Sequence, residues 1–138
     1  MAGQFTRWQM AYKIADTDGI PLYRIVKLTA EATVGKTTAD NEVPQGVIDN
    51  DSREDIPYQA SGSQTGRHIA VKLDGIALVE LATPVAFGER VVSAPGGFGK
   101  AASALTAGTK ANVLGFAEVA GEAGDVVPVR LAYHVYTV

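Results

Sequence analysis

Few side chains in this chain are placed to do chemistry. His68 and His134 are the only histidines, and both fall inside strand-like patterns. A general base needs a hydrogen-bonded orienting partner and a pocket, and the residues beside these two supply neither. Ser61 and Ser63 lack the Gly-x-Ser-x-Gly elbow that exposes a hydrolase nucleophile. Gly97-Phe98-Gly99-Lys100-Ala101-Ala102 fits the dinucleotide pattern Gly-x-Gly-x-x-Ala, with Glu118 in the position of the ribose carboxylate. The context does not fit: Pro95 and Gly96 interrupt the preceding strand, and no amphipathic helix follows. As a phosphate loop it also fails, because Ala94 and Ala101 stand where glycine and Ser/Thr are needed. The stretch reads as a hairpin turn. Asp49, Asp51, Glu54 and Asp55 are acidic, but Arg53 takes the next alternate ligand position and the turn lacks glycine, so a solvated loop is expected rather than a calcium site. The reading is of no enzyme, no cofactor and no metal.

The aromatic residues are the other candidates. Phe5, Trp8 and Tyr12, with Arg7, lie near the N-terminus, and Tyr133 and Tyr136 near the C-terminus. They pack in terminal strands, or they form an interface, where Trp, Tyr and Arg are enriched. As interface residues they would contact a partner protein or a neighbouring subunit.

The bulk composition narrows the classes further. A chain of 138 residues suits one core. The charged fraction is 20% and the net charge −3, which gives no basic face for nucleic acid. Cysteine is absent, so disulfides and thiol chemistry are excluded. No apolar run is long enough for a membrane span, and none opens the chain as a signal peptide, so a soluble protein made in a cytoplasm is expected. Fifteen glycines among Val, Thr and Ala favour short strands joined by tight turns.

These candidates must be positioned by strands. The stretch 67–92 is the centre: Ile69, Val71 and Leu73 alternate with Ala70, Lys72 and Asp74, and Asp74-Gly75 reads as a hairpin turn. Ile76 to Leu81 then returns through the core, with Leu78 buried. Residues 8–14 form a first strand behind a loose start at 1–6, and 22–28 a second. Residues 29–42 read as a long loop with one helical turn. Residues 45–49 and 56–60 are short strands, and 61–66 is flexible. Residues 94–99 form a turn. Residues 113–119 form a strand, and Val127, Val129, Leu131, Tyr133 and Val135 alternate in the last one. The fold class is all-β: a compact small barrel or sandwich of short antiparallel strands, with long loops and an extended N-terminal arm. Residues 1–16 are the arm and first strand, and 17–138 a single β domain. An internal echo divides that domain into two similar β units, 20–60 and 86–131. Tyr23-Arg24-Ile25-Val26 resembles Glu89-Arg90-Val91-Val92, Gln45-Gly46-Val47-Ile48-Asp49 resembles Leu114-Gly115-Phe116-Ala117-Glu118, and Asp55-Ile56-Pro57-Tyr58 resembles Asp125-Val126-Val127-Pro128.

Gly75-Ile76-Ala77-Leu78-Val79-Glu80, followed by Pro84-Val85-Ala86-Phe87-Gly88-Glu89-Arg90-Val91, resembles the pattern of capsid decoration (cement) proteins of tailed bacteriophages. Leu114-Gly115-Phe116-Ala117 and Gly124-Asp125-Val126-Val127-Pro128-Val129-Arg130-Leu131 continue that order, so the likeness covers roughly residues 22–131. The long segment 49–65 and the aromatic first strand depart from it. The resemblance implies a structural virion protein on the outer capsid surface. Its partners would be the major capsid protein and its own copies, as a homotrimer, with no nucleic acid and no membrane. An alternative from another class is a small β-barrel that binds a ligand or carbohydrate through the loops at 49–65 and 96–100.

Overall fold

The computed structural model describes residues 5–16, 19–49 and 68–138, with side chains from residue 10 onward. Among these there are nine strands and no α-helix. They are β1 (Phe5–Ile14), β2 (Arg24–Ala30), β3 (Thr33–Lys36), β4 (Gly46–Ile48), β5 (His68–Glu80), β6 (Arg90–Ser93), β7 (Gly99–Ala101), β8 (Lys110–Ala117) and β9 (Val126–Thr137). The strand expected at 56–60 and the flexible stretch 61–66 lie outside the described residues.

The strand order is β1-β3-β2-β4-β5-β9-β8-β6-β7, and β1 also pairs with β5. The first five strands therefore close into a ring. β1 seals it, running parallel to β3 (Ile14↔Val34) and antiparallel to β5 (Met10↔Val71). Closure leaves no bare edge inside the ring. Tyr12, Ile14, Ile20, Val26, Val34, Ile48, Ile69 and Val71 fill its interior.

β5 belongs to two walls. Its first half pairs with β1, and its second half pairs with β9 from Ile76↔Arg130 to Glu80↔Val126. Asp74-Gly75 is thus not a hairpin turn; the strand runs through it for 13 residues. Gly75, at φ 94°, supplies the bend that redirects the strand. The local signal for a two-residue turn and the signal for a kinked long strand are the same dipeptide, and partner strands on both sides decided between them.

A second ring follows. β5, β9, β8, β6 and β7 run side by side, and a parallel bridge Leu81↔Gly99 joins the far end of β5 back to β7. Ile25, Val47, Ala77, Val79, Leu81, Val91, Leu114, Ala117, Val127 and Val129 pack together within and beneath it. Leu78 faces the other way and is only half buried, so Ala77 and Val79 are the inward residues of this strand. Residues 76–81 are apolar on both faces, so the sequence offers no alternation here to tell Leu78 from its buried neighbours Ala77 and Val79.

Two further expectations change. The loop 29–42 contains β3, a short hairpin partner of β2, hidden because Val34 is its only large apolar residue. A short strand, β7, follows the 3-10 turn Pro95–Gly97, in which Gly96 and Gly97 both have positive φ (84° and 82°).

Candidate functional site

The sequence candidates separate into three groups. Phe5, Arg7 and Trp8 lie in β1, whose backbone pairs Phe5 with Ile76 and Trp8 with Asp74; their side chains are outside the described residues. Tyr12 is 8% exposed and sits inside the first ring, where its hydroxyl oxygen accepts a hydrogen bond from Gln45 Nε2 at 2.8 Å. Residues 10–14 are therefore a wall of the barrel, not a detachable arm, and Tyr12 presents no surface to a partner. Tyr133 and Tyr136 are exposed, at 53% and 41%, on the last half of β9.

Around Tyr136 the structure assembles residues that the sequence did not group. Arg90 from β6 stacks its guanidinium 3.8 Å from the Tyr136 ring centroid and donates from Nε to His134 Nε2 at 3.1 Å. His134 Nδ1 lies 2.7 Å from the Ala132 carbonyl oxygen, so Nδ1 carries the proton and donates while Nε2 accepts. The imidazole stacks on Phe116 of β8, with centroids 5.2 Å apart and planes at 18°. Arg130 of β9 reaches the same ring at 5.5 Å. Two guanidiniums and three rings thus form one sheet face, held by the antiparallel pairings Arg90↔Phe116 and Phe116↔Arg130. Cation–π contacts of this kind are worth about 0.5–2 kcal/mol each.

A cleft of about 340 Å³ adjoins this face, lined among others by Phe87, Glu89, Arg90, Ala102, Ser103 and Tyr136. Phe87 stands at its rim on the turn before β6 and is 79% exposed. Ser103 Oγ donates to the Glu89 carboxylate at 3.0 Å. The cleft's lining combines apolar walls with one cation, Arg90, one carboxylate, Glu89, and the Ser103 hydroxyl. His134 has no carboxylate behind it to orient it as a base; its orienting group is a backbone carbonyl.

The acidic loop also differs from expectation. Asp49 is wholly buried rather than solvated. It accepts from Lys72 Nζ at 3.1 Å and from the Leu78 amide at 3.0 Å. Lys72, expected on an exposed strand face, is wholly buried as well. Asp51, Glu54 and Asp55 lie outside the described residues, as do Ser61 and Ser63. His68 is exposed at the start of β5. Gly97 to Ala102 covers the end of that 3-10 turn, β7 and the start of a three-residue 3-10 helix, Ala102–Ala104, and no α-helix follows to hold a pyrophosphate.

No family model matches the chain, and no curated protein sequence matches it. Its fold is similar to that of the head fiber gp8.5 N base of bacteriophage phi29, with a TM-score of 0.60 and 13% identity over 91% of this chain and 93% of that one. At that identity the likeness is one of fold, and it extends through both rings.

Proposed function

We propose that this protein is a non-enzymatic structural component of a phage head, attached to the outer surface of the capsid through the major capsid protein. The observation that carries the reading is the fold likeness over nearly the whole chain to the base of a phage head fiber. The likeness of residues 75–91 and 114–131 to the decoration-protein pattern supports it independently. The surface agrees: Tyr133, Tyr136, Arg130 and Phe87 are all exposed, and they are residue types that dominate protein interfaces. Many copies on a repeating shell give tight overall attachment from modest single contacts.

The test is co-sedimentation of the purified protein with phage heads that lack it, followed by thermal challenge of the heads. Binding that saturates at a fixed copy number per head, with a higher temperature of DNA release, is expected. If the protein stays in the supernatant while a sugar panel raises its melting temperature, the ligand-binding alternative is the right one.

A further inference from the structure

The two rings correspond strand for strand. The pairings Ile14↔Val34, Val26↔Gly46, Val26↔Lys36, Val47↔Lys72 and Met10↔Val71 of the first ring match Leu81↔Gly99, Val91↔Gly115, Val91↔Ala101, Phe116↔Arg130 and Ala77↔Val129 of the second. Details outside the strands correspond too. Ala15 N donates to Val34 O at 2.8 Å, and Ala82 N donates to Gly99 O at 2.7 Å. Tyr23 N donates to Ile48 O and Gly88 N to Ala117 O, and both donors have positive φ, 69° and 76°. A Cβ on Gly46 or on Gly115 would collide with the carbonyl oxygen of Lys72 or Arg130 in the matching neighbour strand. By these pairings Val26 matches Val91, one residue away from the alignment suggested by the sequence echo.

The match assigns a counterpart to each outward residue. Ile25, Val47, Lys72 and Leu78 on the first ring correspond to Arg90, Phe116, Arg130 and Tyr136 on the second. Thr37 and Arg24 correspond to Ala102 and Glu89. On the first ring this face is covered within the chain by the turn Pro95–Gly97. Gly96 N and Gly97 N both donate to Thr37 O, at 2.8 and 3.1 Å, and Arg24 NH1 donates to Gly96 O at 3.2 Å. Phe98 follows, its ring centroid 3.9 Å from the Arg24 guanidinium carbon. On the second ring the counterparts Glu89, Arg90, Ala102 and Tyr136 line the open cleft of about 340 Å³.

We propose that this cleft receives a second copy of the chain, docked head to tail, and that the inserted element is the copy's own β2–β3 turn, residues 30–33. The match identifies that turn as the counterpart of Pro95–Phe98, with Ala32 (φ 50°) standing for Gly97 (φ 82°). The turn is exposed at Glu31 and Ala32 in the single chain. By the same match Ala32 would lie against residues 89 and 90, the counterparts of Arg24 and Ile25 that Gly97 touches, with Glu31 at the Glu89 side of the cleft. The contact is heterologous, one end of the molecule on the other, and such contacts close into rings when the rotation allows. The inference does not depend on attachment to a capsid.

The chain has no cysteine, which makes a direct test available. Mild oxidation of the Ala32→Cys, Ser103→Cys variant should give disulfide-linked dimers and higher multimers, absent from either single variant. In light scattering, the unmodified protein at tens of micromolar should run at a multiple of its 14.4 kDa chain mass. Ala32→Trp should reduce it to single chains with an unchanged melting temperature, because Ala32 is exposed in the single chain while its counterpart Gly97 packs directly on Arg24 and Ile25. A wild-type protein of single-chain mass overturns the proposal. So does an assembly that Ala32→Trp leaves intact and the cysteine pair fails to link.

Discussion

Lys72 Nζ lies 3.1 Å from Asp49 Oδ2, and neither side chain is exposed at all. The pair sits where β5 bends between the two rings. Lys72 Nζ also donates to the Ile76 carbonyl at 3.1 Å, and Asp49 Oδ2 accepts from the Leu78 amide. A bend takes backbone groups out of the ladder, and buried backbone groups left without partners cost roughly 1–3 kcal/mol each. The ion pair serves two such groups, both just after Gly75.

Removing one partner should therefore be costly. Asp49→Ala leaves an ammonium buried without its counter-charge and the Leu78 amide without its acceptor, so a loss of about 3–5 kcal/mol is expected. The double change Asp49→Leu, Lys72→Met should recover part of that loss, since neither charge is then stranded. Urea unfolding of the three variants measures it. A single variant within about 1 kcal/mol of wild type would mean that water reaches the pair.

Neighbouring residues on β5 should respond differently to the same charge. Val79 is wholly buried in the second ring, whereas Leu78 is half exposed. Val79→Asp should prevent folding, because an unpaired carboxylate would enter an apolar interior. Leu78→Asp should fold with a lowered melting temperature. Soluble expression and circular dichroism separate the two, and equal behaviour would contradict the assigned register.

Much of the fold was legible in the sequence, and the gaps have physical causes. The alternation in β1, β5 and β9 marked them as strands, and the glycine clusters marked the turns. The direction in which β5 faced was not legible, because Ile76-Ala77-Leu78-Val79 is apolar on both faces and carries no period. Lys72 and Asp49 read as surface residues because each alone is polar; only the bend in β5 makes their burial useful. β3 was missed for want of apolar residues, and its place as a barrel wall depends on β1 crossing to it from far along the chain. At the candidate site, Tyr133 and Tyr136 were picked out as aromatics near a terminus. Arg90, Phe116, Arg130 and His134 were not grouped with them, because adjacency across β6, β8 and β9 is a property of register. The sequence echo matches Phe116 to Val47, as the strand pairings do, but it matches Arg90 to Arg24, one residue away from the Ile25 that the pairings give.

Tyr12 tests the role of the first strand. Its ring fills the first barrel and its hydroxyl takes the Gln45 hydrogen bond. Tyr12→Ala should cost about 3–5 kcal/mol by opening a cavity, while Tyr12→Phe should cost about 1 kcal/mol for the lost hydrogen bond. Thermal melts of both suffice. A Tyr12→Ala protein that melts like wild type would return this residue to the surface.

Glu42 should make stability depend on acid. It lies between β3 and β4, and its carboxylate gathers four donors. Lys27 Nζ donates to Oε2; the Thr38 amide at 2.6 Å, the Ala39 amide at 2.8 Å and the Thr38 hydroxyl at 3.3 Å donate to Oε1. Its own amide donates to Ser93 Oγ at 2.8 Å, which ties this loop to β6. Desolvation alone would raise its pKa. The hydrogen bonds from Lys27, Thr38 and Ala39 outweigh that, and the Lys27 charge adds to them, so the value falls from 4.5 to about 2. A carboxyl whose pKa is lower in the folded state than in the unfolded chain stabilises the fold above the unfolded value and loses that contribution as pH drops toward the folded one. The side chain is 23% exposed, so solvent weakens the effect to on the order of 1–2 kcal/mol. Glu42→Gln keeps the shape and removes the charge. The wild type should exceed it by that amount at pH 7, and the gap should close between pH 4.5 and about 2. Denaturant melts at pH 7, 4 and 2.5 measure it. A gap that stays constant across that range would show that the loop is held by shape and neutral hydrogen bonds rather than by the carboxylate.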